Sequence, residues 1–241
     1  MEGNTVPATL MEALRPVTVV VGHYGTGKTN FAVNLAIDLV RSGKQATLID
    51  LDIVNPYFRA SEQRTILEEA GVDLVAPVFS EAGTSLDVPS LTGRIVPAIE
   101  SADEGHIVVI DAGGDDVGAT ALGRFARFID KNGAGTTRAS CYAMLVVLNR
   151  YRNLVQDPAD AVENLREIEL ASHLRATGLI SNAHMKTETT PDHIAKGIAY
   201  AEEVARLTGL PLVGYTAPAR IVSDPSAYSV EMHVRNPWES Q

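Results

Sequence analysis

The sequence predicts a doubly wound α/β fold: a mostly parallel sheet with helices on both faces, three layers in all. Three observations carry that. Short apolar runs alternate with helical patterns along most of the chain, at roughly 30- to 45-residue intervals. The runs are apolar at nearly every position, as strands buried on both faces are. A hydrophobic content of 45 % over 241 residues suffices for one sizeable core.

The elements follow in order. Residues 1–15 read as an N-terminal extension with a helical turn around Leu10 to Leu14. Val17 to Val21 is the first strand. Asn30 to Arg41 repeats apolar residues at helical spacing and stops at Ser42-Gly43. Ala46 to Ile49 is a strand that runs into Asp50-Leu51-Asp52. Ser61 to Ala70 reads as a helix closed by Gly71, Val72 to Val78 as a strand, Glu81 to Pro89 as a loop and Leu91 to Ser101 as a weak helix. Ile107 to Ile110 is a strand leading into Asp111-Ala112-Gly113-Gly114, and Ala119 to Lys131 is helical. Tyr142 to Leu148 is the next strand. Pro158 occupies a favoured first-turn position in a helix reaching Ala171. Thr177 to Ile180 is a strand, Thr190-Pro191 opens a helix that ends at Gly209, and Leu212 to Tyr215 is the last strand. From Thr216 the chain reads as irregular. No repeat or linker divides it, so residues 16–220 form the expected domain, preceded by the extension and followed by a tail over 221–241.

The chemistry concentrates where the first strand meets the first long helix. Gly22, His23, Tyr24, Gly25, Thr26, Gly27, Lys28 and Thr29 form a Gly-x4-Gly-Lys-Thr pattern between them. Strand, glycine-rich turn and helix in that order make such a pattern a phosphate-binding loop. The glycines let successive N–H groups turn inward, and the helix that opens with Asn30 offers its positive end to the same anion. Lys28 is expected on the β- and γ-phosphates and Thr29 on Mg2+. Two later strand ends supply acids. Asp111 is the expected second metal ligand. Asp50 and Asp52, two apart on extended backbone, point to one side; Asp50 is assigned to the metal and Asp52 to orienting the attacking water. Asp115 and Asp116 read as solvated acids next to glycines that suit a phosphate-sensing switch.

Composition narrows the partners. A net charge of −10 disfavours nonspecific nucleic-acid binding and anionic membranes. The single cysteine, Cys141, permits no intrachain disulfide and reads as a small core residue. The first 16 residues carry two acids and no basic start, so they do not read as a secretory signal, and no apolar run is long enough to span a membrane. The expected compartment is the cytoplasm.

The loop, the Asp50-x-Asp52 pair and Asp111 followed by glycines, with Asn149 and Asn182 ending later strands, resemble the MinD/ParA/CobQ-type P-loop ATPases, the deviant Walker A group of the SIMIBI class. The likeness covers about residues 17–215, and it looks strongest to small bacterial members carrying Gly-His-Tyr-Gly and Leu-Asp-Ile-Val-Asn-Pro-Tyr-Phe-Arg. It implies ATP as nucleotide, a homodimer facing across two nucleotides, Asp52 as the water-orienting residue and Asn182 against the adenine. Guanine recognition in related folds uses Asn-Lys-x-Asp. Asn149-Arg150-Tyr151-Arg152 and Asn182-Ala183-His184-Met185 both lack its Asp, which favours ATP.

The chain also departs from the group. His23 stands where the signature lysine belongs, which implies slow hydrolysis or a charge supplied from elsewhere, with Arg59 one candidate. The tail, interrupted by Pro237, is no basic amphipathic membrane anchor, and one cysteine cannot support an iron–sulfur role. His184 reads as solvated or near the base, His106 as exposed, His193 as no metal ligand, and Glu163, Arg166, Glu167 and Glu169 as a solvated helix face. Trp238 packs on the body or a partner. The leading expectation is an ATP-driven dimeric switch that signals to a protein partner. Two alternatives stay open: an ATP-dependent kinase- or ligase-like enzyme whose small-molecule substrate is lined by Ser80, Thr84 and Ser85, and an ATP-binding docking module without turnover.

Overall fold

A computed structural model describes residues 6–52, 60–76, 93–114, 116–131, 141–221 and 224–234. Among the described residues eight strands form one sheet: β1 (Val17–Val21), β2 (Gln45–Asp50), β3 (Asp73–Val75), β4 (His106–Asp111), β5 (Tyr142–Leu148), β6 (Gly178–Ser181), β7 (Leu212–Pro218) and β8 (Ala227–Val230). Their order is β3-β2-β4-β1-β5-β6-β7-β8. Every neighbouring pair is parallel, so all C-terminal ends share one edge.

Helices cover both faces, as expected. On one side α1 (Ala8–Ala13), α2 (Lys28–Arg41) and α3 (Arg64–Glu69) bury Leu10, Phe31, Leu35 and Leu67 against Val20, Leu48, Val109 and Val147. On the other, α4 (Ile95–Glu100), α5 (Asp116–Gly123), α6 (Ala126–Ile129), α7 (Pro158–Ser172) and α8 (Pro191–Thr208) cover Val17, Val19, Val21, Ile110 and Val146. Val20 packs on the face opposite to Val19 and Val21, the alternation of a pleated strand. This is why β1 is apolar throughout.

Several expectations need correction. The segment from Thr216 is not irregular: β7 continues to Pro218 and β8 adds an edge strand. Ala119 to Lys131 is not one helix. It breaks at Arg124-Phe125, where Gly123 packs so closely on Ala171 that a Cβ would sit 2.7 Å from its carbonyl oxygen. Ser61 to Ala70 begins as a 3-10 turn, Ala60–Gln63, before α3. His106 is half-buried and shares a 2.8 Å hydrogen bond with the Thr47 hydroxyl. Glu169 is not solvated: its carboxylate accepts from Arg175 at 2.8 Å and from the Ala176 N–H at 2.9 Å. Arg59, Asp115, Trp238 and the loop with Ser80, Thr84 and Ser85 lie outside the described residues. Among the described residues, no helix is long and apolar enough to cross a membrane.

Candidate nucleotide site

The phosphate loop closes by its own hydrogen bonds. Thr26 donates through both N–H and hydroxyl to the His23 carbonyl, at 3.2 and 2.8 Å. Gly25 (φ 76°) and Gly27 (φ 88°) take left-handed backbone that side chains resist. Two glycines are also needed for closeness. A Cβ on Gly22 would strike the Val147 carbonyl, and one on Gly114 would strike the Gly22 carbonyl, so the segment after β4 rests directly on the loop. The first bond of α2 runs from the Phe31 N–H to the Gly27 carbonyl at 3.0 Å. The N–H groups of Thr29 and Asn30 precede it without helical partners, as an anion site requires.

The predicted acids gather at this loop. Parallel register sets Asp50 beside Asp111, and Asp111 beside Val20 of β1. All three carboxylates are buried, Asp50 and Asp111 completely. Asp52 folds back so that its N–H donates to Asp50 Oδ1 at 3.2 Å, and its Oδ2 meets Lys28 Nζ at 3.0 Å. Asp111 is different. Neither of its oxygens has a hydrogen-bond partner. Burial pushes its carboxyl up to about 8; Lys28 opposes this, Asp50 and Asp52 add to it, and the Thr29 hydroxyl is near enough to oppose it without closing a well-formed bond. Two orphaned carboxylate oxygens beside a hydroxyl are hard donors that fit Mg2+. No group of three or more His, Cys, Asp or Glu among the described residues would hold a metal unaided. That suits a cation whose shell is completed largely by phosphate and water.

The other flank differs from expectation. Asn182 donates through Nδ2 to the Thr26 carbonyl at 2.6 Å and accepts from the Thr216 hydroxyl. It ties the loop to β6 and β7. Asn149 Oδ1 accepts from the Tyr151 N–H at 3.1 Å and holds the turn after β5. Asn30 keeps its backbone at the loop, but its side chain is engaged elsewhere: it donates to the Glu231 carbonyl at 2.9 Å and accepts from the N–H groups of His233 and Val234 at 2.9 and 3.2 Å. His184 is half-buried rather than solvated, its Nε2 3.1 Å from where a Gly27 Cβ would stand, and desolvation with nearby Arg152 and Lys186 holds its pKa down at about 4. His193 caps α8 with Thr190.

The CobQ/CobB/MinD/ParA nucleotide binding domain matches residues 17–209. The chain belongs to that family. It is thus a P-loop nucleotide-binding protein of the MinD/ParA class, as the loop and acids imply. The solved structures it resembles include the signal recognition particle receptor FtsY from Elizabethkingia anophelis in complex with GDP (TM-score 0.51, 18 % identity, covering 89 % of this chain and 59 % of that one). Others are FtsY from Thermotoga maritima (0.51, 20 %, 92 % and 71 %) and chloroplast FtsY from Physcomitrella patens (0.54, 18 %, 96 % and 64 %). At these identities the likeness is one of fold. No curated protein sequence matches the chain.

Proposed function

We propose that this family member binds ATP with Mg2+, hydrolyses it, and uses the bound nucleotide to drive formation of a homodimer in the cytoplasm. The buried Lys28–Asp52 pair at 3.0 Å, set at the phosphate loop beside the orphaned Asp111, carries the reading. Lys28 takes phosphate oxygens, and Asp52, then released from part of its pairing, is the acceptor that aligns a water. Asp111, Thr29 and Asp50 hold Mg2+, which when bound neutralises phosphate charge. Asn182 fixes the loop and contacts the base through its second N–H. Asp52 and the segment after Asp111 then communicate phosphate loss to a partner protein or a small-molecule substrate.

Adenine is favoured because neither Asn182-Ala183-His184-Met185 nor the turn after β5 carries the aspartate that reads guanine. GDP in the Elizabethkingia receptor makes guanine the competing base.

The test combines Mg2+-dependent turnover with solution mass, with and without a non-hydrolysable ATP analogue. Lys28→Ala is expected to abolish nucleotide binding. Asp52→Ala should keep the analogue-driven dimer and lose turnover by about 100-fold or more. A protein that binds ATP, stays monomeric and hydrolyses nothing alone contradicts the switch; equal competition by GTP contradicts the base assignment.

A further inference from the structure

One cation beside the phosphate loop has no role in the chemistry above. Arg152 leaves the turn after β5, and its Cδ and Nε stand 3.6 and 3.8 Å from the point a Gly25 Cβ would occupy. Its Nε is buried and has no hydrogen-bond partner. Among the described residues no acid pairs with it. His184, whose pKa the Arg152 charge helps to lower to about 4, stays neutral at pH 7 and offers it no counter-charge. A buried guanidinium donor without an acceptor is a costly arrangement that an anion would relieve.

We infer that Arg152 binds the phosphates of the nucleotide held by its own chain and supplies there a permanent positive charge. This rests on the nucleotide-binding reading and goes beyond it. Placement decides for phosphate over base: β5 lies directly beside β1, so Arg152 arrives over the loop itself, whereas the base segment follows β6. Charge points the same way. Asp50, Asp52 and Asp111 crowd the opposite flank, and Lys28 is already engaged by Asp52. A second cation offsets that excess when a polyphosphate enters. A guanidinium is the group whose planar fork matches phosphate oxygens.

The test is calorimetric binding of Mg-ATP and Mg-ADP to wild type, Arg152→Gln, Arg152→Lys and Lys28→Ala. Arg152→Gln is expected to weaken ATP by about 10- to 100-fold. ADP, with one phosphate fewer, loses less, and Arg152→Lys recovers part of the ATP loss. Melting without nucleotide should not fall, since a buried unmet donor has been removed. Unchanged ATP affinity in Arg152→Gln overturns the inference. So does an equal loss for both nucleotides that lysine fails to recover, which marks a structural role. If wild type binds neither nucleotide, the underlying reading falls and takes this one with it. If wild type binds and only Lys28→Ala fails to, the loop stands and Arg152 alone is excluded.

Discussion

At Asp111 three effects meet: complete burial, two neighbouring acids and one lysine. Burial wins, and the carboxyl is held at about 8 against an ordinary 3.8. The consequence for stability has a definite sign. Between those values the folded chain keeps a proton that the unfolded chain has released, so stability falls as pH rises from about 4 to about 8 and levels off above. Without Mg2+, Asp111→Asn should melt like wild type near pH 3, where both states hold the proton, and be more stable at pH 8, by on the order of a few kcal/mol. Melting scans at both pH values check this, and an equal shift at both would exclude titration as the cause. Mg-nucleotide affinity should climb with pH in wild type and lose that slope in the variant, because a metal must displace the proton. The positions of Lys28, Thr29, Asp50, Asp52 and Asp111 were readable from the sequence, since a phosphate loop and acids ending apolar strands are local patterns. The packing of Arg152 and His184 on the loop was not. Each depends on contact with Gly25 or Gly27 across more than a hundred residues of chain, and nothing local marks it.

The element that escaped sequence reading most completely is β8. Ala227-Tyr228-Ser229-Val230 is four residues long, too short for an alternation to stand out, and Pro218 sits at the end of the strand beside it. Yet β8 is held firmly to the nucleotide-bearing helix. Tyr228 is buried, meets Phe31 edge-on with ring centroids 5.8 Å apart, and donates to Asp38 Oδ2 at 2.9 Å. Arg41 donates to the other Asp38 oxygen at 2.9 Å. Beyond β8, the Glu231 backbone donates to Asn34 Oδ1 at 2.8 Å and accepts from Asn34 Nδ2 at 2.9 Å. The first turns of α2 are thus clamped from outside while their N-terminal end faces the phosphate loop. Tyr228→Phe keeps the ring contact and leaves one oxygen of a buried carboxylate unmet. It should cost about 1–3 kcal/mol and lower the melting temperature by several degrees. A variant that melts with wild type would mean that water replaces the lost donor, and the clamp would then rest on the Asn30 and Asn34 contacts alone.

For the whole molecule, the formal net charge of −10 governs association. The alternating pattern foretold a parallel three-layer sheet, but not the strand order, because register between distant strands is set by packing rather than by any one segment. That order matters for assembly. It gathers the acids, the phosphate loop and the exposed side chains of Tyr24, Val117 and Leu154 at the C-terminal edge of the sheet. In the proposed dimer, two copies meeting there across their nucleotides would bury apolar groups, yet would bring two strongly negative bodies together, each with added polyphosphate. Like charge therefore opposes the dimer, and salt should relieve it, since the screening length shrinks from roughly 20 Å at 20 mM to about 7 Å at 200 mM. Nucleotide binding to each chain should respond oppositely, since the proposed roles of Lys28 and Arg152 are to attract the phosphates. The two effects separate at saturating ATP analogue, where only association is left to vary. Sedimentation under that condition should show the dimer strengthening several-fold from 20 to 200 mM salt. A dimer that weakens instead would place complementary ion pairs across the interface, strong enough to overcome the net charge, and the arginines nearest the loop would be the first to substitute.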